Sequence, residues 1–497
     1  MSGFLGIPLL VMTDSYKTSH SFMIPEAKKC IAYGEFRKGY DGDKEDTRIL
    51  FFGIRYIIEN YIAIKWTKKD VELSEKFFAT HNAGFTPFPF PKDLFIKFIE
   101  ENDGYFPIKI EALPEGTSCH VHTPVYQITA ENEYAPLVTY LETLITMIWY
   151  PTTVATLSRR ARDLAEDAYQ KTVVDAGNTT VDSRLHDFGF RGCTCIEQSI
   201  IGGVAHLLNF CGTDTMSAAY YAQFTLNNGK PIATSVPATE HSVMIAHKTE
   251  REIKKFGTGV FACVLDSFDY VNALEKILPS IAKQKVEAGG FMVLRPDSGD
   301  PVDSVLKGLR AADKLFGSDV NGKGYKVLRR AGVLQGDGVS IKAIKDILDA
   351  TREAGYSAQN VTFGMGGGLL QKLNRDTMSF ATKLCHITYA DGHKRDIMKT
   401  PKSDSEKISL PGEFVVKKNK QGVPIVYPKE SFPENDPDNL LKVVYDHGKI
   451  CEWEDFDTIK KRVANEWPVL PRTYDNISPE LKVKIDKTIK EIISSQQ

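Results

Sequence analysis

The amino-acid sequence predicts an α/β protein, with a (β/α) barrel in the middle of the chain and a β-rich α+β domain built from both chain ends. Three observations favour this fold class. Short apolar segments of strand type recur through the centre, helix-length segments separate them, and polar residues directly follow each apolar segment. Strands that alternate with helices pair in parallel, and a (β/α) barrel carries its active site just after its strands.

The strand-like segments of the central region can be placed in order. Each begins with a few apolar residues and then breaks into Asp, Arg, Ser or Gly, a pattern typical of a buried strand and its following turn. Six or seven such segments occur within about 190 residues, at 185–192, 211–215, 234–242, 260–269, 291–301, 332–340 and 361–372. Segments long enough for helices lie at 270–287, 302–315 and 341–354.

The two flanks of this region show a mixed pattern. KKCIAYGEFRKG (28–39) predicts a strand that carries Glu35 and Arg37 to its end, because its residues alternate and many are β-branched or aromatic. Further strands are predicted at 107–129 and 377–389, and helices at 50–64, 72–80, 91–101 and 137–170. Two hairpins are predicted to turn at 421–422 and 447–448, ahead of a helical tail. We therefore expect residues 1–150 and 386–497 to form one discontinuous domain beside a barrel at 151–385.

Composition and charge restrict the function classes. The 497 residues suffice for a large core, and 42% hydrophobic with 25% charged residues is ordinary for a globular protein. A formal net charge of -2 gives no electrostatic case for binding nucleic acid or an anionic membrane. The eight cysteines are scattered without zinc-ligand spacing, which indicates reduced thiols. The N-terminus has no basic region or cleavage site, and no run reaches the ~20 apolar residues of a membrane span, so we expect a cytoplasmic protein.

Two histidines of the N-terminal flank, His120 and His122, alternate along a predicted strand, a spacing that would suit a metal ion. No third histidine or cysteine pair at ligand spacing accompanies them in the sequence. We therefore interpret both as surface residues of a strand and not as metal ligands.

The first three polar clusters of the central region, within residues 185–242, have the composition of a ligand site. They contain histidines, acids, an arginine, an aromatic residue and glycines that let a ligand approach backbone N–H groups. The side chains concerned are His186, Asp187, Phe188, Arg191, Asp214 and His241. This combination predicts a site for a flat, phosphorylated ligand.

Seven motifs together resemble a known family. In chain order they are TDSYK (13–17), LHDFGFRG (185–192), GTDT (212–215), SVPATEHS (235–242), RPDSG (295–299), QGDG (335–338) and FGMGGGLLQKLNRD (363–376). Each motif is weak alone. All seven in this order, with a basic loop after them, resemble the nicotinamide phosphoribosyltransferase family, which belongs to the type II phosphoribosyltransferases.

The resemblance implies an irregular α/β barrel with a β-rich domain, working as a homodimer with active sites at the subunit interface. It implies that nicotinamide and phosphoribosyl pyrophosphate give nicotinamide mononucleotide and pyrophosphate, a step of NAD salvage, with Mg²⁺ and stimulation by ATP hydrolysis. The partners are then small molecules, and neither nucleic acid nor a membrane is expected. Because the pyridine nitrogen has a free lone pair, catalysis needs no general base and depends on alignment and on neutralising the leaving group.

For the base, the family places the ring between two aromatic side chains, which the resemblance assigns to Phe188 and to the partner subunit's Tyr16. Asp214 would accept a hydrogen bond from the amide NH₂, and Arg295 and Ser235 complete this set. The residues alone leave two alternatives open, a core role for Phe188 and a helix cap for Asp214. A desolvated Asp214 favours nicotinamide over nicotinate, because it would repel a carboxylate.

For the phosphates, GMGGG before LLQKLNRD predicts backbone N–H groups ahead of a helix, without the Lys-Ser/Thr step of a P-loop. The resemblance assigns the mononucleotide phosphate and ribose to Gly336, Asp337, Gly366, Gly367 and Arg375, and the ribose hydroxyls to Asp297. It assigns the pyrophosphate to a ring of cations formed by Arg37, Arg191, Arg375, Lys383, Lys399 and Lys407. Mg²⁺ would be held mainly by substrate oxygens, with Asp266 and Asp297 near it.

In the family the histidine of the EHS motif is phosphorylated by ATP. The resemblance assigns this role to His241 and makes Asp266 the carboxylate that holds the other ring nitrogen. His241, Asp266 and Asp297 are therefore the predicted catalytic residues. From the residues alone, a lone histidine is more often a satisfied structural residue.

Two further functions stay open at this point. The first is a nicotinate phosphoribosyltransferase of the same fold, which a carboxylate-binding residue in place of Asp214 would support. The second is a non-catalytic protein that binds mononucleotides, which predicts the loss of costly charged groups. The charged residues of the site are all present, including Arg191, His241 and Arg295.

Overall fold

The computed structural model describes residues 6–174, 180–246, 254–400 and 408–494. The chain divides into two compact units. Unit 1 comprises Met1–Thr153, Asn374–Glu454 and Thr458–Gln497, and unit 2 comprises Val154–Leu373 and Asp455–Asp457. The sequence-based boundary at residue 385 lies later than this division, because the strand Phe380–Tyr389 pairs within the sheet of unit 1.

The strands are numbered in chain order. They are β1 (Ala27–Phe36), β2 (Arg48–Leu50), β3 (Lys109–Ala112), β4 (Ser118–His120), β5 (Tyr126–Glu131), β6 (Leu185–Asp187), β7 (Gly212–Thr213), β8 (Val260–Val264), β9 (Phe291–Arg295), β10 (Ser318–Val320), β11 (Lys326–Leu328), β12 (Ala331–Gln335), β13 (Val361–Met365), β14 (Phe380–Tyr389), β15 (Lys394–Asp396), β16 (Phe414–Lys418), β17 (Pro424–Pro428), β18 (Lys442–Asp446) and β19 (Lys449–Ile450).

The α-helices are given in the same order. They are Ser15–His20, Ile54–Ile57, Lys68–Phe78, Lys92–Glu101, Glu142–Thr146, Trp149–Thr172, Ile196–Leu207, Met216–Tyr221, His241–Ala246, Tyr270–Asn272, Leu278–Ala288, Pro301–Phe316, Ile341–Glu353, Gly367–Leu370, Phe456–Glu466 and Pro479–Ser494. Single π-helical turns occur at Ile58–Ile62, Ala222–Leu226 and Ala273–Ile277.

Unit 2 contains a six-stranded sheet in the order β7-β6-β13-β12-β9-β8. All of its strand pairs are parallel, as the alternation of strands and helices predicts. The segment 234–239 closes the gap between the two edge strands through isolated bridges, Gly212 to Thr234 and Ala238 to Ala262. Pro237 lies inside this segment and cannot donate a ladder hydrogen bond, so the segment is not a regular strand. The barrel is therefore irregular on this side.

The helices of unit 2 begin where the sequence provides caps. The Asp300 side chain accepts from the N–H of Asp303, and Pro301 occupies the first helical position. Ser340 accepts from the N–H of Ala343 in the same way. These caps fix the helix starts directly after the polar turns that follow β9 and β12, so the turns are held in place from both sides.

Unit 1 contains a seven-stranded sheet in the order β15-β14-β1-β5-β3-β18-β19. All of its pairs are antiparallel. Strand β1 pairs with β14 along most of its length and is buried from Cys30 to Phe36, so both chain ends contribute to one sheet. A large apolar core packs in this unit, with many aromatic side chains such as Trp66, Phe95, Phe98, Phe106 and Tyr140. The fold class predicted from the sequence is confirmed.

Two local predictions are correct, one helix begins later than predicted, and one prediction is wrong. The hairpins β16–β17 and β18–β19 turn through Gly422 and Gly448, both in the left-handed region at φ 81° and 94°. The helix predicted at 50–64 is present as Ile54–Ile57 and the π-helical turn Ile58–Ile62, but it begins late, and Leu50 belongs to β2, which pairs with β4. His120 is not a surface residue: it is fully buried at the end of β4, and burial lowers its pKa to about 4.

All eight cysteines lie in the described residues, and none of them forms a disulfide. Four of them, Cys30, Cys119, Cys263 and Cys385, are buried. Among the helices that the structure describes, none combines the length and the apolar character that crossing a bilayer would need.

Candidate active site

Four of the residues assigned to the base line one cavity in unit 2. The cavity has a volume of about 500 Å³, and Phe188, Asp214, Ser235 and Arg295 lie in its wall. The rest of the wall includes an apolar cluster formed by Val236, Ala262, Phe291, Val293 and Leu334. A concave, largely apolar site with a few polar groups is the usual form of a small-molecule site.

Phe188 follows β6 directly, and its neighbours place the ring. Its N–H donates to the carbonyl of Met365 at 3.1 Å. A Cβ atom added at Gly364 would lie 2.0 Å from the ring, so only glycine lets β13 pass against it. The guanidinium carbon of Arg295 lies 5.3 Å from the ring centroid, within cation–π distance. Phe188 is therefore a partly exposed wall residue and not a fully buried core residue.

Asp214 follows β7, and two hydrogen bonds hold it. Its N–H donates to the carbonyl of Asp187 at 3.0 Å, and the Ser235 hydroxyl donates to its Oδ1 at 2.6 Å. The helix cap considered from the sequence is not its role, because the helix begins at Met216 with Thr215 as the N-cap residue. The carboxylate is instead presented to the cavity with one oxygen already engaged.

His241 opens a helix, and both of its ring nitrogens face polar groups. Nε2 lies 3.4 Å from Oδ2 of Asp297 and 4.0 Å from Oδ1 of Asp266. Nδ1 lies 3.0 Å from the Ser267 hydroxyl. The carboxylate nearer to His241 is thus that of Asp297, whereas the sequence-based assignment gave this place to Asp266.

The Asp266 side chain is only 3% exposed and organises the turn after β9. Its Oδ2 accepts from the N–H of Asp297 at 2.8 Å and from the Ser298 hydroxyl at 2.6 Å. Its Oδ1 is buried and has no hydrogen-bond partner among the described residues. Because one oxygen holds the RPDSG turn, Asp266 supports Asp297 more directly than it supports His241.

Arg295 and Asp297 form an ion pair at the end of β9, with 3.0 Å between Nη2 and Oδ1. A Cβ atom at Gly336 would lie 3.1 Å from Asp297 Oδ1 and 3.2 Å from Arg295 Nε, so a glycine lets the turn after β12 approach this pair closely. Asp337 comes next in this turn, and its carbonyl accepts from the Gln335 side chain at 2.8 Å. These groups meet at the carboxyl ends of β9 and β12.

The two glycines assigned to phosphate lie after β13. Gly366 precedes the four-residue helix Gly367–Leu370, and its carbonyl accepts the N–H groups of Leu369 and Leu370. A Cβ atom at Gly366 would lie 3.3 Å from the carbonyl oxygen of Phe188, so the turn runs close to the base residue. Arg191 lies three residues after Phe188, in the exposed turn Phe190–Gly192.

The other assigned cations lie in unit 1, where three of them are electrostatically coupled. Burial lowers the pKa of Lys383, and the charges of Arg37 and Lys399 lower it further, against Glu142 and Glu35. Arg37 directly follows β1 and Lys383 lies on the neighbouring strand β14. Arg37 and Lys399 therefore lie near enough to Lys383 to act on its charge, and so do the acids Glu142 and Glu35.

Tyr16 and Arg375 are also neighbours in unit 1. Burial raises the pKa of Tyr16, Glu142 and Asp14 raise it further, and the charge of Arg375 opposes them. The Tyr16 side chain is nevertheless 54% exposed. Lys407 lies outside the described residues.

The sequence motifs assigned no role to Ser267 and Ser298, which the geometry brings into the site, and they named Asp187 only as one acid of the predicted ligand site. Ser267 contacts the His241 ring, and Ser298 contacts Asp266. Asp187 is fully buried behind Phe188, and its Oδ1 accepts from the N–H of Gly189 at 2.7 Å. Burial raises the pKa of Asp187 to about 6. Each of the two serines directly follows an assigned aspartate in the sequence, which is the only signal that pointed to it.

A metal ion would need most of its ligands from a substrate. Within the described residues, no group of three or more His, Cys, Asp or Glu side chains could hold a metal ion. Asp266 Oδ1 and Asp297 Oδ2 are nevertheless hard oxygen donors, and the former is an unpartnered buried atom. These two carboxylates fit Mg²⁺ on the condition that phosphate oxygens supply the remaining ligands.

Two family profiles match this chain. The Nicotinate phosphoribosyltransferase (NAPRTase) family matches residues 183–449. The Nicotinamide phosphoribosyltransferase, N-terminal domain, matches residues 8–110. The two matches cover the main parts of both units.

Similar proteins agree with these profiles. A nicotinamide phosphoribosyltransferase of Xanthomonas campestris pv. campestris is 36% identical over 463 residues, covering 90% of this chain and 96% of that protein. A nicotinamide phosphoribosyltransferase of Acinetobacter baylyi is 29% identical over 493 residues, covering 91% and 96%.

Two solved structures have the same fold. Nicotinate-nucleotide pyrophosphorylase from Pyrococcus furiosus aligns with a TM-score of 0.60 at 16% identity, covering 94% of this chain and 99% of that one. Human nicotinic acid phosphoribosyltransferase aligns with a TM-score of 0.60 at 16% identity, covering 96% and 99%. Together with the profiles and the relatives, they lead to one conclusion: the chain belongs to the nicotinate phosphoribosyltransferase family and is a pentosyltransferase.

Proposed function

We propose that the protein is a nicotinamide phosphoribosyltransferase, which joins nicotinamide to phosphoribosyl pyrophosphate and releases pyrophosphate. The observation that carries this proposal is the Asp214 carboxylate in the wall of the base cavity, with the Ser235 hydroxyl donating to it. An amide NH₂ can donate to the remaining lone pairs of this carboxylate. Asp214 is exposed in this structure, and once a bound base shields it from water it would repel the carboxylate of nicotinate. Asp214 therefore selects the amide.

The cavity suits the bond-forming step. Phe188 offers one face for stacking, a contact worth about 1 kcal/mol beyond burial, and Arg295 lies beside it. The nucleophile is the pyridine nitrogen, and the transition state at ribose C1 carries positive charge as pyrophosphate leaves. Asp297, next to Arg295, is the group assigned to the ribose hydroxyls. The protein contributes alignment of the two reactants and neutralisation of the leaving group.

We expect cationic side chains to bind the pyrophosphate leaving group. The charges of Arg37 and Lys399 both act on the ammonium of Lys383 in unit 1, which supports the assignment of these three residues to pyrophosphate. Asp266 and Asp297 would hold Mg²⁺ together with substrate oxygens, and the ion when bound supplies neutralising charge to pyrophosphate.

His241 is the residue that we propose to accept a phosphoryl group from ATP. Two carboxylates face Nε2, which favours a proton on that nitrogen and leaves the lone pair on Nδ1. Nδ1 then attacks the γ-phosphorus of ATP, and the bond to ADP breaks. The Ser267 hydroxyl donates to Nδ1 before this step and has to turn away for it. Hydrolysis of this phosphohistidine would accompany product formation.

A homodimer with shared sites is part of the proposal. Tyr16 is exposed in its own subunit, as expected for a residue that stacks in the site of the partner. Unit 2 also exposes an apolar stripe formed by Met216, Tyr220 and Phe224, spaced four residues apart on one helical stretch. Exposed apolar stripes of this kind mark protein–protein contacts. The product would serve NAD salvage.

The test is product formation from phosphoribosyl pyrophosphate and Mg²⁺ with nicotinamide or nicotinate, with and without ATP, for the wild type and His241→Ala. We expect mononucleotide from nicotinamide, little from nicotinate, and ATP stimulation that is lost in His241→Ala. Preferred turnover of nicotinate would mean that Asp214 does not select the amide. Turnover of neither base would leave a mononucleotide-binding protein without catalysis.

A further inference from the structure

Glu35 is a fully buried carboxylate that two side chains share. It lies near the end of β1, and 0% of its side chain is exposed. Arg37 donates from Nε to its Oε1 at 2.9 Å, and Nδ1 of His122 lies 3.3 Å from its Oε2. Because a carboxylate only accepts, His122 carries a proton on Nδ1 in this contact. Each oxygen of Glu35 thus has a different partner.

The backbone of His122 shows that this contact is maintained against a conformational cost. Its φ is 62°, in the left-handed region that glycine adopts without penalty. The loop is held on both sides, since the His122 N–H donates to Phe36 O at 2.8 Å and the Asn476 amide donates to the carbonyl of Val121 and to the hydroxyl of Thr123. The fold thus places an imidazole at a position where glycine would be unstrained, and the ring points at Glu35.

Arg37 therefore forms one hydrogen bond with Glu35, although two would be favoured. Arginine and carboxylate usually pair in a fork through two parallel N–H···O bonds. Here Arg37 bonds through Nε alone, and its Nη2 is buried without a hydrogen-bond partner among the described residues. A buried guanidinium N–H that makes no hydrogen bond costs free energy. This N–H is therefore the group best suited to bind an incoming phosphate oxygen.

We propose that His122 is a positioning residue for the leaving-group site. Because His122 contacts Oε2 of Glu35, that carboxylate cannot form two parallel hydrogen bonds with Arg37. Nη2 of Arg37 therefore stays available to a diphosphate oxygen. This inference rests on the proposed function, specifically on the binding of pyrophosphate by Arg37. When the imidazole is absent, Glu35 rotates and competes with the substrate for Nη2.

The test compares His122→Gly, His122→Asn and Arg37→Ala with the wild type. Glycine removes the ring and relieves the left-handed backbone, whereas asparagine tolerates this backbone and places an amide N–H where Nδ1 was. For His122→Gly we expect the Kd for inorganic pyrophosphate and the KM for phosphoribosyl pyrophosphate to rise about tenfold, a change of ~1.4 kcal/mol. We expect kcat and the KM for nicotinamide to stay within about twofold. His122→Asn is expected to stay close to the wild type.

The melting temperature separates a positioning role from a structural one. His122→Gly is expected to melt no lower than the wild type, because strain is removed. Equal rises in KM for glycine and asparagine, or a lower melting temperature that accounts for the rise, would overturn the inference. If Arg37→Ala binds pyrophosphate normally, the assignment of the leaving-group site fails; if Arg37→Ala is impaired and His122→Gly is normal, only the role of His122 fails.

Discussion

At the scale of single residues, the site depends on ionisable groups whose charged forms are destabilised by burial. Asp187 is the clearest case, since it is fully buried and one of its oxygens has no hydrogen-bond partner among the described residues. Its Oδ1 bonds the N–H of Gly189, which fixes the turn after Phe188. The carboxyl therefore supports the base residue from behind while remaining able to bind a proton near pH 6.

This gives a pH-dependent stability that can be measured. Burial raises the pKa of Asp187 from 3.8 in an unfolded chain to about 6, so between these values the unfolded state has released a proton that the folded state retains. Stability therefore falls as pH rises through this window, by up to about 3 kcal/mol, and levels off above it. Asp187→Asn keeps the acceptor for Gly189 and removes the titration.

Urea unfolding between about pH 4 and pH 7 measures this effect. We expect the stability of the wild type relative to Asp187→Asn to fall by up to about 3 kcal/mol over the window. Asp486→Asn, a change on the exposed face of the helix Pro479–Ser494, is the matched control and is expected to show no such trend. A pH-independent difference between the wild type and Asp187→Asn would mean that Asp187 does not titrate in this range.

At the scale of elements, the site depends on glycines at positions where a strand passes close to the side chain of another residue. Strand β13 passes the Phe188 ring at Gly364, where any Cβ atom would lie 2.0 Å from ring carbon. The β6–β13 pairing holds Gly364 opposite His186, so the strand cannot move away without breaking the sheet. The ring has to move instead.

We expect Gly364→Ala to displace Phe188 and to lower kcat/KM for nicotinamide at least about tenfold, since stacking and the adjacent Arg295 contact are both lost. Gly259→Ala is the control, because a Cβ atom there meets only the Phe256 carbonyl oxygen at 3.7 Å. Steady-state kinetics on both variants measures the difference. An unchanged kcat/KM in Gly364→Ala would show that the position of the Phe188 ring does not matter for turnover.

At the scale of the whole molecule, the residues assigned to one reaction are divided between two compact units. Phe188, Asp214 and His241 belong to unit 2, whereas Tyr16 and Arg37 belong to unit 1. If sites are shared across a homodimer, each subunit supplies what the other lacks. A heterodimer of two different inactive subunits then contains one intact site.

Co-expression of Tyr16→Ala and Asp214→Ala with different affinity tags tests this arrangement. Each variant alone is expected to be nearly inactive, while the purified heterodimer is expected to regain about half of wild-type activity. Sedimentation velocity of the same sample verifies the mass of the dimer. Absence of recovery in a heterodimer of correct mass would argue that Tyr16 acts within its own subunit.

Much of the fold was predictable, and the reason is the local nature of the signal. Alternating strands and helices with polar strand ends indicated a parallel sheet. Strands β6, β7, β8, β9 and β13 lie inside the predicted segments, and β12 begins one residue before its segment. Caps such as Asp300 and turn glycines such as Gly422 act over three or four residues, so they can be read from a short stretch. The helix predicted at 50–64 begins late, at Ile54, and Leu50 belongs instead to β2, whose pairing with the distant β4 overrode local propensity.

The sequence named residues for the candidate site and could not give the contacts between them. The motifs named Phe188, Asp214, His241 and Asp297, and the structure brings them to the ends of the barrel strands. Asp297 lies nearer to His241 than Asp266 does, and the sequence could not show this. The distances depend on which Asp266 oxygen accepts a hydrogen bond from the RPDSG turn. The contact of Ser267 could not be predicted either, because it depends on the distance between its hydroxyl and the His241 ring.

Sequence alone was sufficient for the fold class, the family and the types of chemical group in the site, because these follow from local patterns and motif order. Tertiary structure was needed to show that Asp214 is held by Ser235, that His120 is buried, and that His122 and Arg37 share Glu35. These facts depend on atoms from segments far apart in the chain meeting within hydrogen-bond distance. No local pattern encodes such a meeting, since burial and partner choice are properties of the packed molecule.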